Sequence, residues 1–221
     1  MKLKSYLFSF LFFFISFSSF AQNWQMIWSE EFNYTGLPDS TKWTNEVGLI
    51  RNNELQYYTK NRIENNWVSN GQLKIIGRKE AYKGSAYTSA SITTDQQFTC
   101  TYGKIEANIK VPIGQGLWPA FWMLGQNIWQ IGWPKCGEID IMEHVGNDEG
   151  TIHGSVHTEA FNHMIGTQKS KTKYFSDIKD SFHIYSIEWS PDKINFLIDD
   201  IMYFSFSNDN KNDYKTWPFN Q

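Results

Sequence analysis

Gly137-Glu138-Ile139-Asp140-Ile141-Met142-Glu143-His144 is the stretch that decides how the rest of the chain is read. Three acids stand within six residues, separated by bulky apolar side chains, and burial alone does not ask for that. Read as a β-strand, Glu138 and Asp140 share one face while Ile139 and Ile141 share the other. Glu143 has the wrong parity for the acidic face. One extra residue, a β-bulge near Ile141 or Met142, restores it, and bulges often sit beside active sites. The Cα atoms of Glu138 and Glu143 then lie ~13 Å apart. Side chains leaning together bring the two carboxyls to about 5–6 Å, near the spacing of retaining glycosidases. Two other readings fit the eight residues alone. Acid-isoleucine alternation also describes a half-exposed surface strand, and clustered carboxyl oxygens suit a hard cation.

The neighbouring sequence favours the sugar-cleaving reading. Leu117-Trp118-Pro119-Ala120-Phe121-Trp122 precedes the acids, Trp129 and Trp133 lie closer still, and His153 and His157 follow. Aromatic faces beside paired carboxylates suit an uncharged stack of sugar rings. The net charge of −3, with no basic run, argues against nucleic acid and more weakly against a sulfated polysaccharide.

Residues 1–21 read as an export signal. Lys2 and Lys4 give a positive start, residues 6–20 are apolar and rich in Phe, and Ser19-Phe20-Ala21 is a small-x-small cleavage site, so that the mature chain begins at Gln22. The apolar run is shorter than the ~20 residues of a spanning helix, and the protein is expected outside the cytoplasm, extracellular or periplasmic. About 200 residues then remain, which suits one domain. Cys100 and Cys136 are able to pair in an exported protein, but two cysteines do not make a scaffold and free Cys is common in cores. Free thiols are the preferred reading.

The mature chain reads as strand after strand. Strands are expected over residues 24–32, 72–76, 87–94, 102–111, 120–124, 137–144 and 151–157, followed by a three-strand meander over 181–189, 194–198 and 201–206. No segment longer than a turn or two has helical periodicity, and many short antiparallel strands argue for a sandwich or barrel. Long loops are expected over 33–46, 125–134 and 159–180, and the lysines 169, 171 and 173 are read as a solvated part of the last.

These residues resemble glycoside hydrolase family 16, in its laminarinase-like branch. The resemblance is carried by Gly137-Glu-Ile-Asp-Ile-Met-Glu143 and by Gly116-Leu-Trp-Pro-Ala-Phe-Trp-Met-Leu124. It is supported by Asn53-Glu-Leu-Gln-Tyr-Tyr-Thr59, Gly154-Ser-Val-His157 and Glu188-Trp-Ser-Pro-Asp192, and runs from about Trp24 to the last residue. It implies an all-β jelly-roll sandwich, concanavalin A-like, with a sugar-binding cleft across its concave face. It implies endo-acting, retaining hydrolysis of β-1,3-glucan or mixed β-1,3-1,4-glucan, with another polysaccharide such as a galactan, or binding without catalysis, as alternatives. Glu138 is then the nucleophile, Glu143 the acid/base and Asp140 the residue that orients Glu138, with His157 bonding within the cluster. Trp118 and Trp133 resemble stacking platforms. Trp122 and Asn53 are further candidates for substrate binding, although Trp122 suits a core and Asn53 a turn equally well. No cofactor is required and the protein is expected to act as a monomer.

Two positions depart from the family pattern. Ser91 and Asn108 stand where similar proteins usually carry Arg, and losing a planar cation from the cleft would weaken binding or shift preference. The family often binds a structural calcium, and Glu31 lies in the corresponding region. Similar proteins also continue past the region of Gln221 with closing strands, so the domain is expected to be C-terminally truncated and poorly stable.

Overall fold

Alternating apolar residues pair the strands into two four-stranded antiparallel sheets. The computed structural model describes residues 24–221, and the expected export signal lies outside the described residues. One sheet runs in the order Lys169–Tyr174, Thr151–His157, Glu138–His144, Ala120–Leu124. We call it the carboxylate sheet. The other, the meander sheet, runs Ile201–Ser207, Lys193–Ile198, His183–Trp189, Gly103–Ile109. Ile139, Ile141, Ile152 and Val156 from the first meet Tyr185, Ile187, Ile194 and Phe196 from the second, all of them buried in one core. Each such burial contributes roughly 1.5–3 kcal/mol. A one-residue slip would move the whole apolar set to the wrong face, so this core fixes the register that displays the acids.

Smaller strands flank the sandwich. Gln56–Tyr58 runs parallel to Ser85–Ser89, which pairs antiparallel with Arg78–Tyr82. Asn66–Ser69 and Gln72–Ile75 form a hairpin whose two turn residues, Asn70 and Gly71, have φ of 55° and 71°. Both are left-handed, as an Asn-Gly hairpin turn requires. Helix is confined among the described residues to Ile128–Ile131 and a 3-10 turn at His163–Ile165. No helix among them is long and apolar enough to cross a membrane.

Several expected segments differ, including the loops over 125–134 and 33–46, which contain the helical turn Ile128–Ile131 and the short strand Thr44–Asn45. Residues 24–32 form no strand among the described residues, and Met26 and Ile27 are 76% and 71% exposed. Their alternation is strand-like, but no described ladder takes their backbone groups. The strand expected over 87–94 is two strands, Ser85–Ser89 and Ile92–Thr93, with different partners. The loop expected over 159–180 contains the strand Lys169–Tyr174, which pairs through six residues with Thr151–His157. Its lysines alternate along the outer edge of the carboxylate sheet, where charge discourages pairing with another chain. Cys100 and Cys136 are both free.

Candidate active site

Gly137 sets the start of the acidic strand. Its φ is 80°, and a Cβ there would stand 2.8 Å from both the Phe219 ring and Pro218, so the position demands glycine twice over. Beyond it the expected bulge is present. Toward Thr151–His157, Asp140 pairs with Ser155 and Glu143 with His153, so three steps on one strand meet two on the other. Toward Ala120–Leu124 the shift falls between Asp140 and Met142. Ile141 and Met142 both point into the core at 1% exposure, which uses up the extra residue. Glu138, Asp140 and Glu143 consequently share one face, opposite Leu124, Trp122 and Ala120 in turn.

His157 closes the group. It opposes Glu138 in register, and its Nε2 lies 3.2 Å from Asp140 Oδ2 and 3.9 Å from Glu138 Oε1. Burial dominates the electrostatics. It pushes Glu138 up to about 8, helped by the charge of Asp140. It also raises Asp140 well above the usual carboxylate range, helped by the charge of Glu143. Glu143 is raised by burial as well, against the opposing effects of the Trp118 hydrogen bond and of His157 and His163. Burial lowers His157, which favours its neutral form. A buried trio of this kind holds protons at neutral pH that separate carboxyls would have lost.

The aromatic residues line up on the same face. Trp118 Nε1–H donates to Glu143 Oε1 at 2.9 Å, while 65% of the residue stays exposed. Trp122 faces out with Asp140 and does not enter the core, because register pairs the two directly. The Trp133 ring centroid lies 6.0 Å from that of His157 and 4.9 Å from that of His163.

Residues 41–221 match the family described as Glycosyl hydrolases family 16. This chain belongs to glycoside hydrolase family 16. It is 46% identical over 209 residues to a beta-glucanase of Rhodothermus marinus, covering 91% of this chain and 73% of that protein. It is 37% identical over 202 residues to a glucan endo-1,3-beta-glucosidase of Cryptopygus antarcticus, covering 87% and 73%. The crystal structure of the Rhodothermus marinus laminarinase superposes with a TM-score of 0.87 at 44% identity, covering 90% of this chain and 82% of that one. The two-sheet sandwich is therefore the jelly roll of that family.

The family member has features that its sequence alone did not disclose. Arg51 places its guanidinium carbon 5.1 Å from the Trp122 ring centroid and 5.7 Å from that of Tyr58. It is ion-paired with Glu46, whose Oε2 also accepts from Ser91 Oγ. A planar cation thus stands against Trp122, on the strand position that opposes Asp140, although position 91 is serine. Its signal was hidden, because Arg51 precedes a turn and lies far from the acids in sequence. Asn108 belongs to the meander sheet, opposite Ile184, on the face turned away from the core. It does not line the carboxylate face. Asn53 is exposed, with φ of 52°, inside a turn closed by Glu54 N–H to Arg51 C=O. His163, unremarkable on an expected loop, stands 5.3 Å from His157 as well as against Trp133.

Glu138, Asp140 and His157 each offer a ligand atom within 4.8 Å of the others, the one such group of three or more among the described residues. Glu31 is exposed and belongs to no such group.

Proposed function

We propose that this chain is a secreted, retaining endo-glucanase acting on β-1,3-glucan or mixed β-1,3-1,4-glucan. The observation that carries the reading is the bulge, which returns Glu143 to the face of Glu138 and Asp140. In the first step the Glu138 carboxylate attacks the anomeric carbon. The bond to the leaving oxygen breaks as Glu143 gives that oxygen its proton. Glu143, now a carboxylate, takes a proton from water, whose oxygen displaces Glu138 from the sugar. Burial and the charge of Asp140, the most buried of the three, hold a proton on Glu138 up to about 8, and Glu138 attacks in the form that has released it. His157 orients Asp140, and Trp118 holds Glu143 in place. Trp118, Trp122 and Trp133 form the sugar-binding wall, with Asn53 at its margin.

The substrate follows from the names borne by the relatives, beta-glucanase and glucan endo-1,3-beta-glucosidase. The test is release of reducing ends from laminarin, lichenan and agarose by parent and Glu138→Gln. Cleavage of laminarin or lichenan by the parent and its loss in the variant support the reading. Cleavage of agarose alone would overturn the substrate, and an active variant would overturn the role of Glu138. Export is tested by sequencing the N-terminus of the released protein, which should begin at Gln22.

A further inference from the structure

The loop that joins Ala120–Leu124 to Glu138–His144 carries a second tryptophan, Trp129, that the carboxylate site does not use. It stands on the single helical turn Ile128–Ile131, which has no buried residue, and is itself 78% exposed. One exposed apolar side chain is ordinary on a protein surface. This one is held in place. Its Nε1–H donates to Asp95 Oδ2 at 3.2 Å, from a segment 34 residues earlier in the chain. Asp95 is itself fixed, since its backbone N–H donates to Thr93 Oγ1 at 3.1 Å and its carbonyl accepts from Thr44 Oγ1. The far side of the helical turn is anchored too, with Asn127 Nδ2–H donating to the Tyr214 hydroxyl at 2.9 Å. The indole is therefore tethered by its edge while its face meets solvent. Holding a large side chain still has an entropic cost that burial here does not offset.

We propose that Trp129 and Asp95 form an outlying carbohydrate platform that holds a remote segment of the glucan whose cleavage occurs at the carboxylates. The identity of the polymer rests on the function proposed above. An indole face presents a flat apolar surface of the size of a pyranose ring, and Asp95 Oδ1 remains to accept from a sugar hydroxyl. The carboxylate beside the ring disfavours phosphate and sulfate groups, so the ligand is a neutral polymer. The same loop reaches Trp133 four residues later, and Trp133 stands beside His157. A long substrate bound at the cleft is thereby offered a second contact from one structural unit.

The experiment compares the full chain with Trp129→Ala, Trp129→Phe and Asp95→Ala. KM and kcat are measured on laminarin and on a β-1,3-linked trisaccharide. Migration is measured through native gels containing laminarin, lichenan or agarose. Trp129→Ala should raise KM for laminarin about 3- to 10-fold, the range of one aromatic contact, with kcat and the trisaccharide values unchanged. Trp129→Phe, which keeps a ring face but has no N–H for Asp95, and Asp95→Ala, which frees the indole, should each give an intermediate effect. The gels separate this inference from the function it rests on. A parent without hydrolysis but retarded more than Trp129→Ala in one gel would overturn the function and keep the platform. Equal migration of parent and Trp129→Ala in all three gels would overturn the platform, whatever the activity. An equal loss on trisaccharide and polymer would overturn it as well, by placing Trp129 in the cleft.

Discussion

Glu138→Gln should stabilise this protein, and more so the higher the pH. The parent carboxyl is raised from 4.5 to about 8, chiefly by burial and next by the charge of Asp140. The folded state therefore keeps a proton between those pH values that the unfolded chain has released. Unfolding sheds that proton, so stability is full below about 4.5 and falls as pH climbs toward 8. At ~1.36 kcal/mol per pH unit the loss comes to about 5 kcal/mol. The side chain is only 17% exposed, so solvent screens little of this. For a domain of this size each kcal/mol moves the melting temperature by about 2–4 °C, which gives ~10–20 °C in all. Gln keeps the volume of Glu and does not titrate. Calorimetric melting of both proteins from pH 4.5 to 9 should show curves that nearly meet at the acid end and separate steadily above it, with the variant the more stable. Parallel curves would mean that no proton is held at Glu138 in the folded state, contrary to this expectation.

Other outcomes follow from the same geometry. Asp140→Asn removes the charge that, after burial, does most to raise Glu138, so the acidic limb of the kcat/KM profile should move to lower pH; an unmoved limb would separate Asp140 from the titration. Trp118→Phe deletes the N–H that partly offsets the effect of burial on Glu143, so Glu143 should keep its proton further and the basic limb should move to higher pH while the melting temperature changes little. Arg51→Ala should raise KM on laminarin about 2- to 10-fold, the worth of one cation–π contact, and a melting drop with unchanged KM would show that Arg51 only braces Glu46.

Much of the site was readable because parity is a strong constraint. A strand that alternates acid and isoleucine has one register compatible with a core, and Glu143 fitted it only with an inserted residue. The bulge at Ile141 and Met142 is that residue. Trp122 was ambiguous because a strand tryptophan serves either face, and only pairing with Asp140 settles which. Arg51 was invisible, since its role depends on Glu46, Trp122 and Ser91, which meet in space and not in sequence. Lys169–Tyr174 looked like loop because an edge strand satisfies its ladder on one side and needs no apolar face. Residues 24–32 mislead in the opposite way. Trp28 packs on Trp43 and Phe98, so its apolar character serves aromatic contacts and not a sheet.

The proposed mechanism requires Glu138 to form a covalent bond to sugar. A 2-deoxy-2-fluoro β-1,3-linked disaccharide with an activated leaving group slows the release step and lets the intermediate collect. Digestion and mass spectrometry of the inactivated enzyme should then find one sugar adduct, placed by fragmentation on Glu138. An adduct on Glu143, or none from an enzyme that turns over laminarin, would contradict the assignment of the two carboxylates.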